Sequence, residues 1–189
     1  MKSIFLNAEE TYDGSQLVSL RNYLHHGLLG DSIVAWIGPC AVSLEHMVDG
    51  EDKLQGARIC GDRMLHFIVE TFDTSLLAAV GIQRLMTALA KDELERNAPE
   101  QGLARALIRS GDDIFAGERK LSISVATQSP TSSLIHFALN VTNSGTPVST
   151  LSLEDLGVDP VSFARVLMQH ICSEVTSIRE ATRKVRWVR

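Results

Sequence analysis

The chain has 189 residues, a net charge of −5, and 44% hydrophobic against 22% charged residues. That length can bury a sizeable core in one domain over 1–189, and the balance is that of an ordinary soluble globular protein rather than a disordered or fibrous one. The negative total gives no reason to expect nucleic acid as a main partner, and no apolar run approaches a membrane span, so no membrane partner is expected either.

The stretch MKSIFLNAEETYDG has no apolar signal core. Three cysteines, Cys40, Cys60 and Cys172, make no disulfide framework, so a reducing cytoplasmic setting is expected. Residues 3–6 read as a short first strand. YDGSQLVSLRNYLHHG reads as a helix capped by Ser15, with Leu17, Leu20 and Leu24 on one face and Gly27 as its left-handed stop. DSIVAWIG is a strand rich in β-branched residues, ended by Gly38-Pro39. PCAVSLEHMVDGEDKLQG is acidic and lacks a period, which predicts a surface loop. RMLHFIVE reads as a strand.

The longest helical pattern covers 72–96, with a cap at Asp73 or Thr74 and a stripe of Leu77, Val80, Ile82, Leu85 and Leu89. PEQGL, near 99–103, reads as a loop. DDIFAGERKLSISVAT is a hairpin whose second strand sets Leu121, Ile123 and Val125 on one face and Ser122, Ser124 and Ala126 on the other. SSLIHFALNV is a further strand and NSGTP a turn. A last helix starts at Asp159-Pro160, with Phe163, Leu167, Ile171, Val175 and Ile178 on its buried face. The basic end, RKVRWVR, is a solvated tail or a phosphate contact. Consecutive strands at the centre imply antiparallel pairing, so the expected class is α+β, a central mostly antiparallel sheet flanked by helices. GxGxxG and Walker loops are absent, so the usual nucleotide fingerprints do not apply.

Lys120 is the first candidate for chemistry. Over a cavity floor its ammonium would neutralise a carboxylate or phosphate, or stabilise a developing oxyanion. On the surface it would only close the hairpin beside Arg119. Asp112 and Asp113 form an acid pair that holds Mg²⁺ or orients a hydroxyl or amine, or else a solvated turn. His136, inside LIHFALNV, is a hydrogen-bonded core residue or a ligand contact. Asn143 suits a turn, whereas Asn140, at a strand end, is better placed for binding. Cys40, His46 and Asp49, in one loop with Glu45, Glu51 and Asp52, are candidates for a metal site, though their spacing fits no zinc pattern, and the competing reading is a charged mobile loop. Ser15 and Gln16 either cap the first helix or, within Tyr12-Asp13-Gly14-Ser15-Gln16, meet an anion there.

GDDIFAGERKLSISVA resembles the central motif of biotin and lipoate protein ligases, in which an Asn-Asp pair precedes a hairpin and a Lys opens the next strand. Asp112-Asp113 stands where those families carry Asn-Asp, and Lys120 matches the lysine that contacts both acid and nucleotide. SSLIHFALNVTNSGTPVSTLSLEDLG is similar to their next segment. DGSQLVSLRNYLHHGLLGDSIVAWIG is similar to their opening helix and strand, and MLHFIVETFDTSLLAAVGIQRLMTALAKDELE to their strand and long helix. The resemblance covers residues 12–178. At closer range the whole chain, through YDGSQL, GDSIVAWIGPC, LEHMVD and HFALNVTNSGTPV, resembles the domain-of-unknown-function 366 family, which is grouped with the class II synthetase and biotin-ligase fold.

The resemblance implies a biotin/lipoate protein ligase-like fold. It implies a small carboxylic acid bound with ATP and Mg²⁺, then activated or passed to an amine. Lys120 would steady the carboxylate or oxyanion, and Asp112 or Asp113 would hold Mg²⁺ or orient the amine. Ser15, Gln16, His136 and Asn140 would line the acid pocket, and paired sheet edges would make a homodimer. Two departures stand out. The ligases close a glycine- and arginine-rich loop on the acid and phosphates, but here the position reads GPCAVSLEHMVDGEDK, acidic and without arginine. Arg58 and Arg63 lie just beyond and would have to substitute. Residues 141–171 contain no cysteine, which argues against thiol-based acyl transfer. The alternative is a non-catalytic small-molecule-binding protein that has lost the phosphate loop, or one that takes an amine-bearing ligand.

Overall fold

Three apolar runs pair side by side at the centre: Ser32–Val42 (β2), Ile59–Thr71 (β3) and Ser133–Asn140 (β8). Their β-branched and aromatic side chains pack well on a pleated surface. Lys2–Phe5 (β1) joins β2 in parallel, and Ser122–Gln128 (β7) joins β8 antiparallel, giving the order β1-β2-β3-β8-β7. All other pairings in this sheet are antiparallel, so the protein is α+β around a mostly antiparallel sheet. This computed structural model describes residues 1–188, and Arg189 of the basic end lies outside them. Among the described residues no helix is long and apolar enough to cross a membrane.

One face of the sheet, through Ile33, Leu65, Phe67, Ile135, Phe137 and Leu139, packs under two long helices, Leu76–Asn97 (α3) and Pro160–Arg183 (α5). The Asp159 carboxylate caps α5 by accepting the Ser162 N–H, and Pro160 opens it. Phe163, Leu167, Ile171 and Val175 are buried as their spacing predicts, but Ile178 is exposed.

The α3 stripe is rotated from the expected one. Ser75 caps the helix rather than Asp73 or Thr74. Ala79, Ile82, Gln83, Met86, Thr87, Ala90 and Leu94 are buried, while Leu77 is 83% exposed and Val80, Leu85 and Leu89 are half-buried. Small alanines let the helix approach the sheet. Gln83 and Thr87 are buried because Ser124 of the edge strand β7 and the main-chain carbonyls of Asp112 and Gln83 accept their hydrogen bonds, so counting apolar positions alone points the wrong way.

Further expectations change. Strand β2 does not stop at Gly38-Pro39; a bulge between Gly38 and Cys40 interrupts the ladder at Pro39, which has no N–H to donate. The expected loop over 39–56 is therefore the end of β2 followed by a short helix, Gly50–Gln55 (α2), capped by Asp49. The first helix shrinks to Arg21–His26 (α1), preceded by Leu20 at a left-handed φ of 64°. Upstream, the Asp13 carboxylate accepts both the N–H and O–H of Ser15, and Gln16 clasps the Thr11 carbonyl; such local side-chain bonds compete with a helix. Leu17 is buried, but Leu24 is exposed. The loop expected near 99–103 gives way to a helical turn, Gln101–Ala104 (α4). Beyond it a strand the pattern did not announce, Leu107–Ser110 (β4), pairs with Asp113–Ala116 (β5), which pairs with Arg119–Lys120 (β6) in a separate three-stranded sheet.

Gly38 is fixed by space. A Cβ there would lie 2.0 Å from the Glu10 carbonyl oxygen, which also accepts the Trp36 indole N–H. Gly38→Ala should cost more than about 2 kcal/mol in urea unfolding, through backbone displacement. Gly81→Ala, in the interior of α3 with open space around it, should instead gain about 0.5–1 kcal/mol. Equal midpoints for the two variants would contradict this account.

Candidate functional site

The chain passes from the small sheet to the large one at Leu121. The Lys120 N–H donates to the Ser149 carbonyl at 3.0 Å, and the Leu151 N–H donates to the Lys120 carbonyl at 3.1 Å. Asn140 Nδ2 donates to the same Lys120 carbonyl at 3.0 Å and to that of Leu151 at 3.2 Å. The expected continuous alternation therefore breaks. Leu121 enters the core under the helices, while Ile123 and Val125 pack on the opposite face. The Ser122 hydroxyl accepts the Ile114 N–H at 2.9 Å and closes the corner.

This corner puts Lys120 on the wall of a cavity of about 260 Å³. Its Nζ is 2.7 Å from Asp113 Oδ2 and 5.8 Å from the Phe115 ring. Burial raises the Asp113 carboxyl above its ordinary range, and the Lys120 hydrogen bond and charge draw it back down. Asp112 is held differently: its Oδ2 accepts from Gln83 Nε2 and Ser124 Oγ, both at 2.9 Å, and its Oδ1 lies 3.5 Å from Arg84. Across the cavity, α2 brings Asp49 and Asp52. Burial raises the Asp52 carboxyl first and the neighbouring Asp49 raises it further, while Lys120 lowers it. A second cavity of about 210 Å³ shares Lys120, Asp52, Ile59 and Ile123 with the first and adds Arg58, Cys60, Asn140 and Thr150.

The floor of the first cavity is aromatic. Tyr12 stacks on His136 at 3.6 Å between centroids and 8° between planes. His136 Nε2 lies 3.1 Å from His66 Nδ1, and His66 Nε2 lies 3.1 Å from the Gly38 carbonyl. Burial lowers the His66 imidazolium to about 4 and His136 well below its ordinary value, so both rings are neutral near pH 7. Burial also pushes the Cys40 thiol up to about 12 and the Tyr12 phenol well above its usual range.

The residues singled out from sequence divide by place. Lys120, Asp112, Asp113, His136, His46 and Asp49 surround the first cavity, and Asn140 and Arg58 the second. Arg63 lines a separate cleft with Phe5, Asn7 and Glu9. Ser15 is exposed and bonded to Asp13, and the Gln16 amide donates to Thr11 and Glu10; neither lines either cavity. Cys40 is buried, with its Sγ 3.9 Å from the Ile59 carbonyl. Among the described residues no group of three or more His, Cys, Asp or Glu side chains could hold a metal ion. Sequence reasoning missed His66 and Gln83, and it named Tyr12 only within a candidate anion site and Asp52 only within a candidate metal loop. His66 and Gln83 carried a signal, since each is a polar residue set between buried apolar ones, and Asp52 lay inside the acidic segment read as a loop.

The chain belongs to the family described as Domain of unknown function (DUF366), whose model matches residues 1–186. It is 29% identical over 191 residues to an uncharacterised protein of Methanocaldococcus jannaschii, covering 97% of this chain and 84% of that one. A solved protein of unknown function from Pyrococcus horikoshi superposes with a TM-score of 0.92 at 38% identity, covering all of both chains. A mutant biotin protein ligase from Aquifex aeolicus, in complex with biotin, superposes with a TM-score of 0.62 at 13% identity, over 95% of this chain and 72% of that one. At that identity the likeness shows the fold, which is biotin protein ligase-like.

The buried histidines fix a pH dependence. Between pH 6.5 and about 4 the unfolded chain binds a proton at His66 that the folded chain does not. Stability is therefore full above 6.5 and falls as pH drops through that window, by on the order of 3 kcal/mol from His66 alone. Urea midpoints at pH 7 and pH 5 should show the loss, and a His66→Phe variant should show less of it. An unchanged midpoint between the two pH values would refute the neutral pair.

Proposed function

We propose that this protein binds a small carboxylic acid together with ATP and Mg²⁺ and activates the acid for transfer to an amine. One observation carries the reading: Lys120 lines both cavities, and it is the one Lys or Arg among the described residues lining the first. A carboxylate in the first cavity and a phosphate in the second would share its ammonium, which relieves their mutual repulsion and holds them in reacting geometry. The carboxylate oxygen would attack the α-phosphorus, and pyrophosphate would leave with the electron pair of the broken P–O bond. The biotin-bound ligase that shares the fold supports a small acid as the ligand class.

The residues present fit a metal carried in by phosphates. Mg²⁺ takes one or two carboxylates and fills its octahedron with phosphate oxygens and water, so no three-residue cage is required. Asp52 and Asp113 would hold it, and Asp113 would then yield Lys120 to the substrate. Arg58, which lines the second cavity, would be the guanidinium that meets phosphate; Arg63 stands elsewhere. Asn140 and Asp112 position Lys120 and the hairpin through the bonds described above. A second reading is favoured by a different observation. Asp49, Asp52, Asp112 and Asp113 line the first cavity against a single lysine, a wall that suits a cationic amine bound without chemistry.

Thermal unfolding with ATP and Mg²⁺, biotin, lipoate, octanoate and simple amines separates the two. A ligand at about a hundred times its dissociation constant adds about 2.7 kcal/mol. The expected result is a shift with one acid, larger with ATP and Mg²⁺, and lost in Lys120→Ala. A shift with an amine alone, and none with any acid or ATP, would replace the first reading with the second.

A further inference from the structure

We infer that the ligand of the first cavity carries a hydrogen-bond donor, an N–H or O–H group, at the end away from its carboxylate, and that His136 Nδ1 accepts it. The inference follows from a chain of hydrogen bonds that begins at main chain. His66 Nε2 faces the Gly38 carbonyl at 3.1 Å. A carbonyl only accepts, so that nitrogen carries the proton. His66 is fully buried in an aromatic stack with Trp36, Tyr12 and His136, and the neutral ring leaves its Nδ1 bare. His136 Nε2, 3.1 Å away, must then be the donor between the two rings. A neutral His136 with its proton on Nε2 has a bare Nδ1.

His136 lines the cavity while Tyr12 covers its ring face and His66 occupies its Nε2. Among the described residues its side chain makes no other hydrogen bond. What it can offer a ligand is therefore an acceptor that cannot change into a donor, because the Gly38 carbonyl fixes the whole chain. Burying that acceptor under an apolar group would leave it unpaired, and burying it under a second acceptor would add repulsion. The substrate class narrows from small acids in general to acids with a donor-bearing head. The inference rests on the acid reading only for the carboxylate end.

The test uses the full chain and matched probes. Nitrogen-15 NMR of the imidazoles should show the proton on Nε2 of both His66 and His136. In calorimetry, the monoamide of pimelic acid should bind at least about tenfold more tightly than its monomethyl ester, which has the same length and no donor at that end. His136→Phe, which keeps a ring against Tyr12, should abolish the difference. Acetamide should move the His136 Nδ1 resonance of the unaltered protein, and methyl acetate should not, which keeps the test independent of how the variant folds. Acetamide moving Nδ1 while neither acid binds would overturn the acid reading and leave this inference standing. A proton on His136 Nδ1, or equal affinity for monoamide and ester, would overturn the inference itself.

Discussion

The main chain at Lys120 is held from two directions, by the 149–151 segment pairing along it and by the Asn140 amide reaching its carbonyl. That double hold prevents β6 from running on into β7 as one flat strand. The backbone turns at Leu121, and the turn sorts the side chains that follow between the two faces of the large sheet. Lys120 is left at the corner with a cavity on each side. A lysine at the same point of a continuous hairpin would have alternated into solvent or into the core.

The same corner sets the electrostatics. The cavity is closed enough for desolvation to raise the carboxyls of Asp113 and Asp52, and a single ammonium is shared among the nearby acids. Asp112 avoids that competition because α3 turns Gln83 toward it and Arg84 lies beside it. Buried polar groups settle where partners exist, which explains why the buried face of α3 carries Gln83 and Thr87 while Leu77 stays in water. The helix orientation and the acid geometry are thus one solution rather than two.

On the far side of the cavity the constraint comes from β2. The bulge at Pro39 leaves the Gly38 carbonyl free to receive His66, and Gly38 itself lies against the Glu10 carbonyl, where no side chain fits. From that carbonyl the order of protons runs through two neutral imidazoles to the cavity floor. A main-chain group in a strand therefore governs the chemistry offered to a ligand two side chains away. The cavity is cationic at one wall only, acidic around it, and a hydrogen-bond acceptor at its base.

Much of this was legible in residue order. The apolar runs of β2, β3 and β8, the capped start at Asp159-Pro160 and the hairpin around Gly117 follow from local propensity and period, and these fixed an α+β protein with a mostly antiparallel sheet. Residue order also singled out Lys120, Asp112, Asp113 and His136, because charged or ionisable groups beside apolar strands are costly unless something meets them. It could not reveal that Ser15, Gln16 and Arg63 stand away from the cavities, or that α2 brings Asp52 to Lys120, since those facts depend on how distant segments cross. Nor could it turn α3, orient the two histidines or bend the chain at Leu121. Each of those outcomes is set by hydrogen bonds between residues far apart in sequence, such as Asn140 with Lys120 and His66 with His136. Period and propensity describe what a segment prefers alone; only the folded chain brings together the donors and acceptors that decide where its polar groups can be buried.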